Sequence, residues 1–99
     1  MAPRIMHITN NYGESVRVEV MNYGALTTDD ITVDHNDTRS LVIIGAVYGV
    51  IGEGECELEV IVYKIGEDTP KEQRTIQPGN NEVNIIIKKG NTSPVILVE

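Results

Sequence analysis

Hydrophobic side chains occupy every second position along most of this chain, which is the pattern of β-strands with one buried face. Val16, Val18 and Val20 alternate with polar residues, and the alternation is clearest over Cys56–Val62. Gly, Asn, Asp and Pro cluster between the alternating segments and mark turns. The predicted strands lie at Ile5–Ile8, Val16–Val20, Ile31–Val33, Leu41–Ile51, Cys56–Val62, Arg74–Gln77, Val83–Lys88 and Pro94–Val98.

Seven or eight such strands in one domain over residues 1–99, without an amphipathic helix, predict an all-β fold. We expect a small antiparallel β-sandwich, with a small closed β-barrel as the alternative. Leu41–Ile51 is apolar almost throughout, so we expect it to form a central strand that is covered on both faces. A weak internal similarity aligns Val33–Ile44 with Ile76–Ile87 at an offset of 43 residues and would relate two similar sheets.

The composition supports the same fold class. The chain has 12 Val and 13 Ile but only 4 Leu, and it contains no Phe and no Trp. Branched side chains of this kind pack well on a pleated sheet and are poor helix formers. The missing large aromatic residues also argue against a membrane-inserting surface or a tryptophan-lined ligand site.

Charge and chain pattern exclude two kinds of partner. The chain carries 15 acidic and 8 basic side chains, a net charge of −7, whereas binding to nucleic acid phosphates needs clustered Lys and Arg. The longest uncharged stretch, Ser40–Gly52, has 13 residues, against the ~20 that a membrane-spanning helix needs.

Because the N-terminus lacks a signal-peptide core, we expect a cytoplasmic protein, or a secreted one if Met1 precedes a mature chain.

Four glutamates form the sharpest local feature of the sequence, at Glu53, Glu55, Glu57 and Glu59. On a strand they would share one face, about 6.6–6.8 Å apart. Such an acidic surface would suit a basic partner or a divalent cation. We favour a solvated face that keeps strands from aggregating, because carboxylates spaced so widely form no compact metal cage, and we expect no metal site.

Candidate ligand-binding residues lie in the predicted loops. Tyr12 and Tyr23 each precede a glycine at a strand end, and exposed tyrosine beside polar residues is typical of sugar-binding and protein-binding loops. The predicted ligand-binding set is Tyr12, Tyr23, Asp34, His35, Asn36 and Asp37. The alternatives are core tyrosines and, for Asp34–Thr38, side chains that bond their own backbone in a turn.

The sequence contains no recognisable catalytic motif. Cys56 is the only cysteine, and the glutamates on either side of it disfavour a thiolate. The two histidines, His7 and His35, fit no motif either. We therefore expect neither enzymatic activity nor a cofactor.

The predicted function is that of a non-enzymatic interaction module whose partner is another protein or a second copy of the same chain. The segment at the end of the chain is apolar on both faces, and the residues predicted to self-associate are Val95, Ile96, Leu97 and Val98. An ordinary internal strand is the alternative for this segment. Two other functions remain open: a carbohydrate-binding, lectin-like module, and a structural component of a viral or other large assembly.

Overall fold

Every element in the described part of the chain is a β-strand. The computed structural model describes residues 4–23, 27–43, 57–77 and 82–99. Their strands are β1 (Arg4–Asn11), β2 (Val16–Asn22), β3 (Thr27–Val33), β4 (Thr38–Ile43), β5 (Leu58–Lys64), β6 (Glu72–Ile76), β7 (Glu82–Lys89) and β8 (Pro94–Val98). The all-β prediction is confirmed, and these ranges contain no helix that is long and apolar enough to cross a bilayer.

The eight strands form two four-stranded sheets, as expected for a small β-sandwich. Sheet I has the strand order β4-β1-β7-β8, and sheet II has the order β3-β2-β5-β6. Neighbouring strands are antiparallel except β1 and β7, which pair in parallel with Ile5 opposite Glu82. Side chains alternate every two residues in parallel and in antiparallel strands alike, so the hydrophobic pattern of the sequence could not show that β1 and β7 pair in parallel.

The inner faces of the two sheets meet in one apolar core. Val16, Val18 and Val20 are buried along β2, and Leu58 opens the same pattern along β5. The other core side chains are Met6, Ile8, Val33, Ile43, Val60, Val62, Ile76, Val83, Ile85, Ile87 and Ile96. Removing this surface from water is the main favourable term in folding.

The position of β4 differs from the prediction. The strand already begins at Thr38 and lies at the edge of sheet I, where it pairs with β1. Val42 is 62% exposed on its outer side, whereas Ile43 is buried in the core. The prediction of a doubly covered central strand is therefore wrong for the described part of the apolar run, because an apolar sequence does not show whether anything covers its second face. Residues 44–51 lie outside the described ranges.

Three pairs of strands begin at spacings close to the 43-residue offset of the internal sequence similarity. Strands β5, β6 and β7 begin 42, 45 and 44 residues after β2, β3 and β4. β2 and β5 form the central pair of sheet II, and β3 and β6 form its edges. Each repeat thus contributes two strands to sheet II and one to sheet I, whereas the sequence similarity predicted one similar sheet from each half.

The predicted ligand-binding residues lie at two opposite ends of the sandwich, because the strands that carry them run in opposite directions. The segments 12–15, 34–37, 65–71 and 90–93 lie at one end, which we call the loop end. The end of β2 and the start of β5, with Tyr23 and Glu57, lie at the opposite end.

Candidate functional site

A buried asparagine organises the loop end. Asn10 is completely buried at the end of β1. Its side-chain amide nitrogen donates hydrogen bonds to the carbonyl oxygens of Glu14, at 2.8 Å, and Val33, at 2.9 Å. Its side-chain oxygen accepts a hydrogen bond from the backbone N–H of Tyr12 at 2.8 Å. One side chain therefore satisfies three backbone groups that the turn after β1 and the end of β3 would otherwise leave without partners.

The backbone of Asn10 also holds the turn between β3 and β4. Its N–H donates to the carbonyl of Asp37 at 3.0 Å, and its carbonyl accepts from the N–H of Asn36 at 2.7 Å. Asn36 has a φ of 66°, a left-handed conformation that asparagine tolerates better than most residues. The N–H of Gly13 donates to Nδ1 of His35 at 3.0 Å, so the ring proton of a neutral His35 lies on Nε2. These contacts join two loops into one rigid unit.

The structure divides the predicted ligand-binding residues into two groups. Tyr12 and the segment 34–37 lie together at the loop end. The carboxylate of Asp34 accepts a hydrogen bond from the Ser15 hydroxyl at 2.8 Å, and that of Asp37 accepts one from the N–H of Thr38 at 2.9 Å. The contact of Asp37 is with a neighbouring backbone group, which is the turn chemistry given as the alternative for this segment, whereas Asp34 contacts a side chain of the other loop. Within the described ranges, no group of three or more acidic, His or Cys side chains is placed to hold a metal ion.

Tyr23 lies at the opposite end, beside two of the predicted ladder residues. Its N–H donates to the carbonyl of Glu57 at 3.0 Å, and its hydroxyl donates to Oε1 of Glu59 at 3.4 Å. Burial and then the negative charge of Glu59 raise the pKa of Tyr23. Tyr12 and Tyr23 therefore cannot serve a single site.

Only half of the predicted acidic ladder lies in the described part of the chain. Glu57 is exposed, and Glu59 lies on the outer face of sheet II, on the opposite side of β5 from the buried Leu58. Glu53 and Glu55 lie outside the described residues, as does Cys56.

Replacing Glu59 with glutamine is expected to lower the pKa of Tyr23, because the change removes a negative charge but keeps a hydrogen-bond acceptor. A raised tyrosine pKa contributes stability that is fully present below the unfolded value of about 10 and is lost as the pH rises through the folded value. Ultraviolet titration of tyrosinate measures the shift, and Tyr23→Phe identifies which step belongs to Tyr23. An unchanged Tyr23 midpoint in Glu59→Gln would contradict the contact.

Two adjoining cavities open at the loop end and form what we call the loop-end cleft. One has a volume of about 430 Å³ and is lined by Glu14, Ser15, Lys64, Ile65 and Glu67. The other has a volume of about 250 Å³ and is lined by Tyr12, Gly13, Glu14, Lys64 and Lys89. The two cavities share Glu14 and Lys64 as lining residues, so they lie side by side between Ile65 and Lys89.

All four lysines of this acidic chain lie at the loop end, at Lys64, Lys71, Lys88 and Lys89. Lys71 pairs with Glu67 at 2.8 Å, and its hydrogen bond lowers the pKa of that carboxyl. Nζ of Lys64 lies 3.6 Å from Oε1 of Glu14. Within the described ranges, Lys88 and Lys89 form no ion pair. Sequence reasoning missed this group. The sequence carried no signal for it beyond the position of Lys64 and Lys88–Lys89 at the ends of two predicted strands.

The outer face of sheet II is covered by its own side chains. The guanidinium of Arg17 lies 3.8 Å from the centre of the Tyr63 ring, and its Nη1 donates to Oδ2 of Asp30 at 3.2 Å. The Tyr63 hydroxyl donates to Oε1 of Glu19 at 3.3 Å. These contacts leave Tyr63 only 8% exposed, and Ile61 on the same strand is 6% exposed, although both side chains point away from the core.

The outer face of sheet I keeps apolar side chains in contact with solvent. Val42 is 62% exposed and Val95 is 39% exposed, and Ile5, Ile86 and Leu97 are half-buried. We call this surface the sheet I face. Its outward side chains are Ile5, His7, Thr9, Ser40, Val42, Glu82, Asn84, Ile86, Lys88, Val95 and Leu97.

The predicted self-association segment contributes to this face with only part of its residues. Val95 and Leu97 point outward, and Val98 is exposed at the end of β8, but Ile96 is buried in the core. Nη1 of Arg74 donates to the carbonyl of Ile96 at 2.9 Å and covers part of the edge of β8. Any contact that this segment makes through the sheet I face must therefore use Val95 and Leu97.

Comparison of this chain with protein-family models, with curated proteins and with solved structures gives no match.

Proposed function

We propose that this protein is a non-enzymatic interaction module that associates with a second copy of itself through the sheet I face. The observation that carries the proposal is the contrast between the two outer faces. On sheet II the outward Ile61 and Tyr63 are buried, with Arg17 lying over Tyr63, whereas Val42 and Val95 on sheet I are exposed. One β-sheet packs on another through apolar side chains on its face, and an exposed apolar face therefore favours such packing.

The chemistry of the sheet I face fits a partner that is itself a sheet. Ile86 lies directly beside Leu97 in the pairing of β7 with β8, and Val95 lies beside Lys88. At the centre of the face, His7 contacts Ser40 through Nδ1 at 2.8 Å and Glu82 through Nε2 at 3.1 Å, so both ring nitrogens have partners within the sheet. The apolar side chains of this face are mostly branched, and sheets that carry such side chains pack at a separation of ~10 Å.

The charges of this face favour a second copy in an antiparallel arrangement. On β7, Lys88 lies at the loop end and Glu82 lies at the opposite end. Glu99 also lies at the opposite end, where its N–H donates to the carbonyl of Asn84 at 2.9 Å. A two-fold axis perpendicular to the strands places Lys88 of each copy over the acidic end of the other and brings Ile86 close to its own counterpart. Such self-complementarity is typical of closed homodimers.

Light scattering coupled to size-exclusion chromatography tests this proposal. We expect a dimer in the wild type and a monomer in Val95→Lys, which places a charge in the apolar contact. Ile65→Lys is the matched control, because Ile65 is exposed at the loop end and away from the sheet I face. Circular dichroism verifies that each variant is folded. A wild-type monomer at high micromolar concentration, or a dimer that persists in folded Val95→Lys, would contradict the proposal.

A charge exchange tests the antiparallel arrangement separately. We expect Lys88→Glu and Glu82→Lys each to weaken the dimer about fivefold, because each replaces attraction with repulsion at two symmetric positions. The double variant restores opposite charges across the two-fold axis and should recover most of the affinity. A double variant that dimerises more weakly than both single variants argues against this geometry.

A further inference from the structure

We propose that the loop-end cleft is a binding site for a sugar that carries a carboxylate or sulfate group. The site is separate from the sheet I face and does not depend on self-association. The sugar ring packs on Tyr12, and its acidic group lies between the ammonium groups of Lys64 and Lys89, all three of which line the same cavity.

The lysines indicate that the ligand is acidic. In a chain with a net charge of −7, all four lysines lie at one end, and two of them line one cavity. Lys89 forms no ion pair within the described residues, and the contact of Lys64 with Glu14, at 3.6 Å, is long. These ammonium groups are therefore available to a ligand, and hydrogen bonds between charged groups are about twice as strong as those between neutral groups.

The carboxylates of the cleft indicate that the ligand also has hydroxyl groups. Glu14 and Glu67 line the cleft together with the hydroxyl of Ser15. A phosphodiester group of a nucleic acid backbone, which offers only acceptor oxygens, would be repelled by these carboxylates. A sugar acid instead donates its hydroxyl protons to them and accepts from the lysines. The mixture of donors and acceptors thus matches one molecule that has both an anionic group and several hydroxyls.

Tyr12 provides a fixed platform for the sugar ring. Its ring is half-buried and packs against the hydrophobic core, and its N–H is held by Asn10 at 2.8 Å. Gly13 follows it, and a Cβ atom added there would meet no atom within 4 Å, so the cleft is open beside the ring. A preformed apolar surface next to polar groups lowers the ordering cost of binding.

Titrations followed by NMR test this site, using glucuronate, galacturonate, N-acetylneuraminate and galactose 6-sulfate as probes. Each is compared with its neutral counterpart, the methyl ester or the unsulfated sugar. We expect at least one acidic sugar to shift the amide signals of the loop end, with an affinity about tenfold or more above that of its neutral counterpart. Lys89→Gln should weaken binding about tenfold, and Tyr12→Ala should weaken it at least as much, whereas Tyr12→Phe should bind like the wild type.

Arg39→Gln is the matched control for the loss of one positive charge, since Arg39 also lies near the loop end but does not line the cleft. It should leave the affinity unchanged. Inorganic phosphate tests for a site that recognises charge alone. No loop-end shift with any of the four sugars at about 10 mM would overturn the proposal. Equal binding of acidic and neutral forms, or phosphate binding that does not depend on Tyr12, would overturn it as well. Because Val95→Lys leaves the cleft intact, failure of self-association and failure of sugar binding are distinguishable.

Discussion

Replacing Asn10 with alanine is expected to lower the free energy of unfolding by about 3 kcal/mol, because the change removes three hydrogen bonds in a buried site. The carbonyls of Glu14 and Val33 and the N–H of Tyr12 lose their partner, and a buried polar group without a partner costs about 1–3 kcal/mol. Local rearrangement at the loop end recovers part of this loss. Urea denaturation followed by circular dichroism measures the change.

Asn11→Ala is the matched control, since it makes the same substitution at the next residue, whose side chain is exposed. It should change the stability by less than about 0.5 kcal/mol. Asn10→Asp keeps the acceptor for Tyr12 but loses both donors and places a carboxylate against two carbonyl oxygens, so it should destabilise at least as much as alanine. An Asn10→Ala variant as stable as Asn11→Ala would show that the loop end does not depend on this side chain.

Period-two alternation predicted the part of the fold that depends on which side of a strand is buried. Val16, Val18 and Val20 are all buried because adjacent side chains on a strand point to opposite faces, and that rule is local. Leu58 follows the same rule on β5. Local turn chemistry likewise predicted most strand ends, since Gly13 and Gly66 adopt positive φ in turns, which glycine does without strain.

Features that depend on contacts between distant segments could not be predicted in this way. Asn10 sits in a run of turn-forming residues, and only the packing of the turn between β3 and β4 over it makes it a buried hydrogen-bonding centre. β4 lies at an edge because β1 pairs with β7 on its other side, 77 residues further along the chain. The lysines meet for the same reason: β5 and β7 belong to different sheets but end at the same end of the sandwich.

The two proposed surfaces differ in how the sequence could indicate them. Val95 and Leu97 were candidates because an apolar chain end is visible in the sequence, although their exposure depends on the sheet that β8 joins. Lys64 and Lys89 were not candidates, since single lysines at strand ends are ordinary solubilising residues. They became candidates only because they line the same cavity as Tyr12. The three residues belong to segments that are distant in sequence, so the sequence does not show that they meet.

Ile85→Ala is expected to lower the free energy of unfolding by about 4 kcal/mol, towards the upper end of the range for such truncations. Ile85 is completely buried on β7, which lies between β1 and β8 in sheet I. Most of the surrounding core side chains are Val and Ile, whose χ1 rotation is restricted. Such neighbours cannot turn into the space left by the missing atoms, so the cavity stays open and its dispersion contacts are lost.

A graded series separates this cavity effect from simple loss of apolar surface. Ile85→Val removes one methylene group and should cost about 1 kcal/mol, whereas Ile65→Ala, at a position that is 53% exposed, should cost less than about 0.5 kcal/mol. Urea denaturation of the three variants measures the series, and an unchanged slope against urea shows that the unfolded states are comparable. If Ile85→Ala cost no more than about 2 kcal/mol, the branched core would relax more readily than its restricted rotamers imply.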